Sequence, residues 1–467
     1  MKLSFHGAAQ TVTGSKHLLT LNNGNQILLD CGLFQGLGKQ TENLNSSFGF
    51  NAENVTAMIL SHAHIDHCGL VPKLIKEGFT GNIFCTPATK DLATILLLDS
   101  AAIQTEDIKY INKKRLKIMQ PPLEPLYDTD DATLAVKHFQ EIEYNNWFTV
   151  INGVEAMFTD AGHIIGSAAV HLKVIEDGQT TAITFSGDVG RYQDLILKAP
   201  QIFPQANYII LESTYGNSLH DNVLNTTNVL LQWITKTITQ KKGKLIIPAF
   251  SVGRTQELLY SLNQLSLEGK LPNINVYVDS PLSKKATQIV KQYPAYFNNK
   301  VQTILEEDDD PFNFKGLHFI ESATDSKALN NLNQPCIIIA ASGMADAGRI
   351  KHHIANNISN PNNTILLVGY CEPNSLGGRL MNGQKEVRIF SEFYQVEAEI
   401  GSMRSMSAHG DYNDLIRFIS CQNAALVKTI FLVHGEPDVQ FDFKNNLLKQ
   451  DFKDIVVPEM HQEVQIN

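Results

Sequence analysis

Three histidines and an aspartate fall within six positions of the segment SHAHIDHCGL, as His62, His64, Asp66 and His67. Imidazole nitrogens and carboxylate oxygens are the donor set of a catalytic zinc, which also keeps a position open for water. His62 and His64 stand two apart on an extended segment, so both rings can face one side. Asp66 and His67 follow where the chain turns toward a helix. A single metal does not easily take all four donors, whereas two adjacent metals can if further ligands arrive from elsewhere. Such donors recur after apolar runs: Asp30 in LLLDCG, His163 in FTDAGHIIGS, Asp188 in ITFSGDVGR and His434 in FLVHGE. Polar groups at strand carboxyl ends are where α/β architectures build sites. Taken singly, each of these four also fits a turn or a core histidine. The packed segment at 61–70 does not, and it points to a metal centre.

The elements that must carry these residues can be read from periodicity. HLLTLNNGNQILLDCG has the form of a hairpin, VTAMILS of a buried strand, and LVPKLIKEG of the helix after it. IFCTP is a further strand, and TKDLATILLLDSAAIQ a helix with an apolar stripe. A strand-dense stretch then runs to about residue 214. The middle changes character: KLIIPAF, INVYVDSP, CIIIAAS and TILLVGY are continuous apolar strands alternating with helical stretches. That is a βαβ pattern and predicts a parallel sheet with crossover helices. The end, TIFLVHGEPDVQFDFKNNLL, is again strand, loop and helix. The expected organisation is a first domain over 1–211, a second over 212–390 inserted into it, and a returning segment over 391–467. The insertion follows because the terminal histidine motifs need the early ones beside them.

Bulk properties narrow the class. With 467 residues the chain can bury two or three cores, and 43% hydrophobic against 18% charged residues makes it globular. No apolar run approaches the roughly 18 residues of a membrane helix, and MKLSFHGAAQ has no signal-peptide core. The six cysteines form no CxxC pair, as expected of reduced thiols in a cytoplasmic protein. A net charge of −10 argues against a protein that coats nucleic acid non-specifically, though not against a local basic cleft.

The HxHxDH segment, with the downstream Gly-His and Ser-Gly-Asp, resembles the metallo-β-lactamase superfamily. LESTYG with Glu212, SMSAHGDY with His409 and LVHGE with His434 resemble the three motifs of its β-CASP branch, whose members cut nucleic acids. The histidine in the last motif is similar to that of the RNA-cutting members, where DNA-repair members carry valine. The resemblance covers nearly the whole chain. It implies an αββα metallo-β-lactamase sandwich with an inserted β-CASP domain, and an active site in the cleft between them. Carried over residue by residue, it implies two zinc ions. His62, His64 and His163 would hold one; Asp66, His67 and His434 the other; Asp188 would bridge them. Asp30 would orient ligands by hydrogen bonds from behind. The histidine-rich set favours zinc over manganese.

The implied reaction is hydrolysis of single-stranded RNA by a hydroxide activated between two metals, in the endonucleolytic mode. Asp66 would orient that nucleophile or take its proton, and His409, held by Glu212, would stabilise the phosphate or protonate the leaving oxygen. Outside the family pattern Glu212 caps a turn, and His409 stands beside the helix cap Asp411. Two strand–Gly-loop–helix segments resemble those lining the family's RNA path: Ser251 and Arg254 in one, Ser342, Gly343, Met344 and Arg349 in the other. Neither is a P-loop. Ser375-Leu376-Gly377-Gly378-Arg379 departs from the family's corresponding turn by an extra glycine, and Arg379 and Arg404 are the remaining phosphate candidates. The appended RNA-binding modules of some relatives are not expected. The partner is single-stranded RNA, with no membrane involvement, and a homodimer is left open. Competing readings are 5′–3′ exonuclease action, thioester hydrolysis, DNA cleavage and an inactive scaffold. The inserted domain and His409 disfavour the thioesterase, His434 disfavours DNA, and the full set of expected ligands disfavours the scaffold.

Overall fold

The structure, a computed structural model, describes residues 1–38, 40–220, 225–369 and 371–467. Contacts divide it into two units: Met1–Tyr192, Ala199–Leu219 and His409–Asn467 form one, Gln193–Lys198 and His220–Ala408 the other. The chain therefore leaves the first unit and returns to it, with the changes at 219 and 408, where the sequence suggested 211 and 390. The stretch 391–408 belongs with the second unit because the strand Glu399–Ser402 pairs in parallel with Thr364–Leu367. That edge strand is only half-buried, so it lacks the apolar run that marks its neighbours.

The first unit is built on two seven-stranded sheets. The first runs Glu463–Gln465, Lys2–Gly7, Lys16–Thr20, Gln26–Leu29, Val55–Ile59, Ile83–Cys85, Phe139–Glu141 across the sheet. The second runs Ile455–Val456, Thr429–Val433, Tyr208–Glu212, Gln179–Phe185, Ala168–Glu176, Val154–Asp160, Phe148–Ile151. Alternation of side chains along a strand explains how each sheet serves two cores. Ile210, Phe431 and Val433 face the first sheet and meet Ile27, Leu29 and Ile59 there. Their neighbours Ile209, Leu211, Ile430 and Leu432 face outward, against Leu415 and Phe418 of the helix Tyr412–Ile419 and Phe443 and Leu447 of Pro437–Leu448. The helices Val71–Lys76, Pro87–Lys117 and Thr129–Val136 pack together outside the other sheet. The result is the αββα sandwich. The hairpin read from HLLTLNNGNQILLDCG is present, with His17 opposite Leu29. The helix read from TKDLATILLLDSAAIQ runs further than its apolar stripe, to Lys117.

The second unit is an all-parallel sheet of six strands, ordered Leu317–Phe319, Asn275–Val278, Cys336–Ala340, Leu245–Pro248, Thr364–Leu367, Glu399–Ser402. Crossover helices such as Arg254–Leu267 and Arg349–Asn357 join them, as the βαβ reading anticipates. The central strands are buried on both faces, which is why they read as unbroken apolar runs. Among the described residues no helix is long and apolar enough to cross a membrane.

Candidate metal centre and catalytic site

Most of the first-unit candidates sit at strand ends or in the segments that follow. His62 and His64 follow the strand Val55–Ile59, and Asp66 and His67 lie on the short helix Ile65–Cys68. Asp188 follows Gln179–Phe185, Glu212 ends Tyr208–Glu212, and His434 follows Thr429–Val433. Asp30 and His434 turn away from their strands through positive φ, 58° and 50°. Their strands thus stop where the side chains are needed. Two close approaches fix the loops. A Cβ on Gly32 would lie 1.6 Å from the Asp66 carbonyl oxygen, and one on Gly190 would lie 1.8 Å from that of Gly162. Only glycine lets these backbones touch. The second contact sets the Asp188 loop against the His163 loop.

Four donors converge first. His64 Nδ1 is 3.2 Å from His62 Nε2 and 3.1 Å from His163 Nε2. Asp188 Oδ2 is 3.5 Å from His62 Nε2 and 3.4 Å from His163 Nε2. Neutral imidazoles cannot satisfy so many mutual contacts by hydrogen bonds, since each ring has a single N–H. A tetrahedral ion with ligand arms of about 2.0–2.1 Å would space its donors about 3.3 Å apart, which matches. Burial holds His62 and His163 well below the ordinary histidine range and brings His64 to about 4. All three are therefore neutral, as a ligand must be.

A second group lies alongside. His67 Nε2 is 3.2 Å from Asp188 Oδ1 and 3.4 Å from His434 Nε2, which is 3.5 Å from Asp66 Oδ2. Asp188 thus offers one oxygen to each group. Its Oδ1 is fully buried and faces ring nitrogens, His67 Nε2 at 3.2 Å and His434 Nδ1 at 3.7 Å, a setting that a cation held between them would complete. Burial would raise Asp188, but the surrounding rings, His434 first, hold it well below the usual carboxylate range. Burial also disfavours charge on His67, yet Asp188 and Asp30 outweigh it and raise this ring well above normal. A cation at that point would replace the proton. Both groups suit a metal, and the donors are of the kind that selects zinc.

The supporting atoms are ordered. Asp30 Oδ2 lies 2.6 Å from His67 Nδ1, and the same carboxylate accepts from the Ser61 amide at 2.8 Å and hydroxyl at 2.9 Å. Ser15 Oγ donates to it at 3.3 Å. Thr214 Oγ1 is 3.0 Å from His434 Nδ1. Sequence reasoning missed Ser15, Ser61 and Thr214. Ser61 adjoins His62 and Thr214 lies two residues after Glu212, and that proximity was the available signal. Lys16 was also missed: its ammonium is buried and donates to the carbonyls of Gly14 at 2.8 Å and Gly32 at 2.9 Å.

His409 and Glu212 come together beside these groups. His409 Nδ1 is 3.1 Å from Glu212 Oε1 and 3.9 Å from Asp188 Oδ2. Glu212 is fully buried and also accepts from the amides of Val189 at 2.7 Å and Thr214 at 3.2 Å. Burial alone would lower His409, but Glu212, and after it Asp188, raise it to about 9. The ring is protonated at neutral pH, with Nδ1–H directed at Glu212 and Nε2 left as the nitrogen that can present a proton outward.

The remaining candidates belong to the second unit, at the carboxyl ends of its parallel strands. Ser251 Oγ is 3.3 Å from Ser280 Oγ, and the Arg254 guanidinium is buried in an ion pair with Glu257. Ser342 exchanges hydrogen bonds with Ala347, the Met344 carbonyl accepts from the Gly377 amide at 3.0 Å, and a Cβ on Gly343 would meet the Phe250 ring at 2.5 Å. The loops after the strands Leu245–Pro248 and Cys336–Ala340 are therefore in contact. Arg379 Nε donates to the Ser375 carbonyl at 3.4 Å. The side chain of Arg404 lies outside the described part.

Comparison with known proteins agrees with this architecture. Residues 17–214 match the metallo-beta-lactamase superfamily, 255–380 the Beta-Casp domain, and 394–458 the Zn-dependent metallo-hydrolase RNA specificity domain. The chain is 34% identical over 438 residues to ribonuclease TTHA0252 of Thermus thermophilus, covering 94% of each. It is 30% identical to an RNase J-like protein of Methanocaldococcus jannaschii, covering 96% of this chain and 95% of the relative. It is also 30% identical to the transcription termination factor FttA of that organism, covering 98% of this chain and 70% of the relative. The chain belongs to the β-CASP family of the metallo-β-lactamase superfamily, metal-dependent hydrolases that act on RNA.

Proposed function

We propose that the protein is an endoribonuclease that cuts single-stranded RNA with two zinc ions per chain. His62, His64, His163 and Asp188 would hold one ion, and Asp66, His67, His434 and Asp188 the other. The observation that carries this reading is the shared Asp188, with one oxygen among each set of donors. Bound metals would polarise the scissile phosphate and lower the pKa of the attacking water.

The chain's own residues do the rest. Asp66 accepts the proton of the attacking water on its carboxylate as the new P–O bond forms. His409 gives its Nε2 proton to the oxygen that leaves as the old P–O bond breaks. Glu212 keeps His409 protonated and aimed. Asp30 holds His67 through Nδ1, leaving Nε2 for the metal. In the second unit, Ser251, Arg254, Ser342, Gly343, Met344, Arg379 and Arg404 would contact the RNA backbone. Arg254 would first have to exchange its partner Glu257. The reading places the protein in the cytoplasm.

The test is a single-stranded RNA labelled separately at each end, incubated with zinc and either the wild-type protein or Asp66→Ala. Internal fragments that vanish in the variant support the endonuclease. Mononucleotides released from the 5′ end make it an exonuclease. No cleavage by a folded, zinc-loaded wild-type protein overturns the proposal.

A further inference from the structure

The helix Pro87–Lys117 packs into the core along its first half only. Its N-cap Thr86 and the neighbouring Thr89 both donate hydroxyl hydrogen bonds to the Gly166 carbonyl, at 2.7 and 2.8 Å, in the loop that carries His163. Its buried residues run from Ala88 to Ala101 and then stop. The following 16 residues continue as helix with no core beneath them. Isolated helices of that length are marginal, and here a return strap supports the arm. Asn112 Nδ2 donates to the Leu123 carbonyl and its Oδ1 accepts from the Leu123 amide, both at 2.8 Å, while Arg115 Nε donates to the Pro121 carbonyl at 2.8 Å. The arm is therefore a built hairpin of helix and strap.

Its surface combines cations with exposed apolar groups. Lys109, Lys113, Lys114, Arg115 and Lys117 fall within nine positions, and residues 108–123 contain no acid, on a chain of net charge −10. Among these cations stand exposed Tyr110 and Leu116, and just after them Ile118 and Met119, the last 96% exposed. Lys114 Nζ lies 4.4 Å from the Tyr110 ring centroid. Cations in a last turn ordinarily complement the helix dipole. That explains one or two of them and none of the exposed apolar groups. A second copy of the same arm would bring like charges together. Phosphates with stackable bases fit both features, because cations meet the backbone and an aromatic face accepts a base.

Resting on the ribonuclease reading, we propose that this arm is a docking site for single-stranded RNA at a distance from the metal centre. From Thr89 to Lys113 the helix rises about 36 Å. A stacked strand rising about 3.4 Å per nucleotide needs roughly ten nucleotides to cover that distance. The arm therefore engages long RNAs and is out of reach of short ones.

The test compares the zinc-loaded wild type with Lys113→Glu/Lys114→Glu/Lys117→Glu and with the corresponding triple Lys→Arg variant, on single-stranded RNAs of about 6 and about 30 nucleotides. The expected result is a KM for the long RNA raised about tenfold at 0.1 M salt in the glutamate variant, with kcat unchanged, and restored by arginine. The slope of log KM against log salt should also fall by about 2, at about 0.7 for each lost phosphate contact. The short RNA should be cut alike by all three. An unchanged KM for the long RNA overturns the arm while leaving the ribonuclease intact. So does an equal loss on both lengths, which marks a structural defect. Absence of cleavage by the wild type overturns the ribonuclease reading and the arm with it. If charge reversal instead abolishes binding to phosphatidylserine vesicles and leaves the RNA kinetics alone, the arm serves a lipid surface and the proposal is wrong.

Discussion

Replacing Glu212 by glutamine removes one charge and nearly no volume, and its effect on His409 can be worked from the site. Burial disfavours the charged imidazole, and Glu212 is the strongest of the three carboxylates, with Asp188 and Asp66, that together reverse this and bring the ring from 6.5 to about 9. That difference is worth about 3 kcal/mol in favour of the protonated ring. At pH 7.5 the wild-type ring is almost wholly protonated. Without Glu212 the largest of these contributions is gone while Asp188 and Asp66 remain, so the pKa falls and fewer rings keep their proton. If His409 is the general acid, kcat/KM for single-stranded RNA at pH 7.5 falls by up to about 100-fold, the lower end of what a general acid contributes. The basic limb of the pH–rate profile should move down from near pH 9, so the variant regains activity on acidification. Stability carries the same signature. A raised folded pKa adds stability that is complete below about pH 6.5 and lost as pH rises through about 9, so the wild-type advantage over Glu212→Gln should shrink across that window. Loss of activity with an unmoved basic limb would refute the assignment, since it would mean that Glu212 acts only through the Val189 and Thr214 amides it accepts.

Other consequences follow from single contacts. Asp30→Asn keeps the shape but removes the charge beside His67 Nδ1, so zinc affinity measured by chelator competition should fall 10–100-fold; an unchanged affinity would remove Asp30 from the centre. Gly32→Ala sets a methyl 1.6 Å from the Asp66 carbonyl oxygen; thermal unfolding should show a loss of about 1–3 kcal/mol and activity should fall with it. Gly369→Ala, with nothing within 4 Å among the described residues, should be neutral by comparison. Burial pushes Lys16 from 10.5 down to about 7. The unfolded chain thus binds this proton more tightly, and Lys16 makes stability rise with pH between about 7 and 10.5. Denaturant unfolding of Lys16→Met should lack that rise; an identical pH dependence in both proteins would show that the two carbonyl acceptors keep the ammonium charged throughout.

Legibility in the sequence varied with how local the signal was. His62, His64, Asp66 and His67 announced a cluster because four donors share one turn of chain. His163, Asp188 and His434 carried only the weaker mark of a polar residue after an apolar run, and the fold brings them to the same point. The pairing of Glu212 with His409 spans 197 positions, so no spacing rule could reveal it; the resemblance alone suggested it. The βαβ middle was plain, since strands buried on both faces read as apolar runs. The strand Glu399–Ser402 was not, because an edge strand needs no such run. The arm beyond Ala101 escaped for a related reason: periodicity reports a face turned to a core, and this helix continues where the core has ended. Lys16 was hidden by its type, since a lysine is read as solvated unless its acceptors are known.

The most direct test of the central claim is to strip the protein of metal and titrate zinc back while following cleavage of a labelled single-stranded RNA. The account predicts no cleavage by the stripped protein and full activity at two equivalents per chain, with His163→Ala and His434→Ala each binding one equivalent fewer. Cleavage that survives complete removal of metal, or a fully loaded protein that leaves RNA intact, would contradict it.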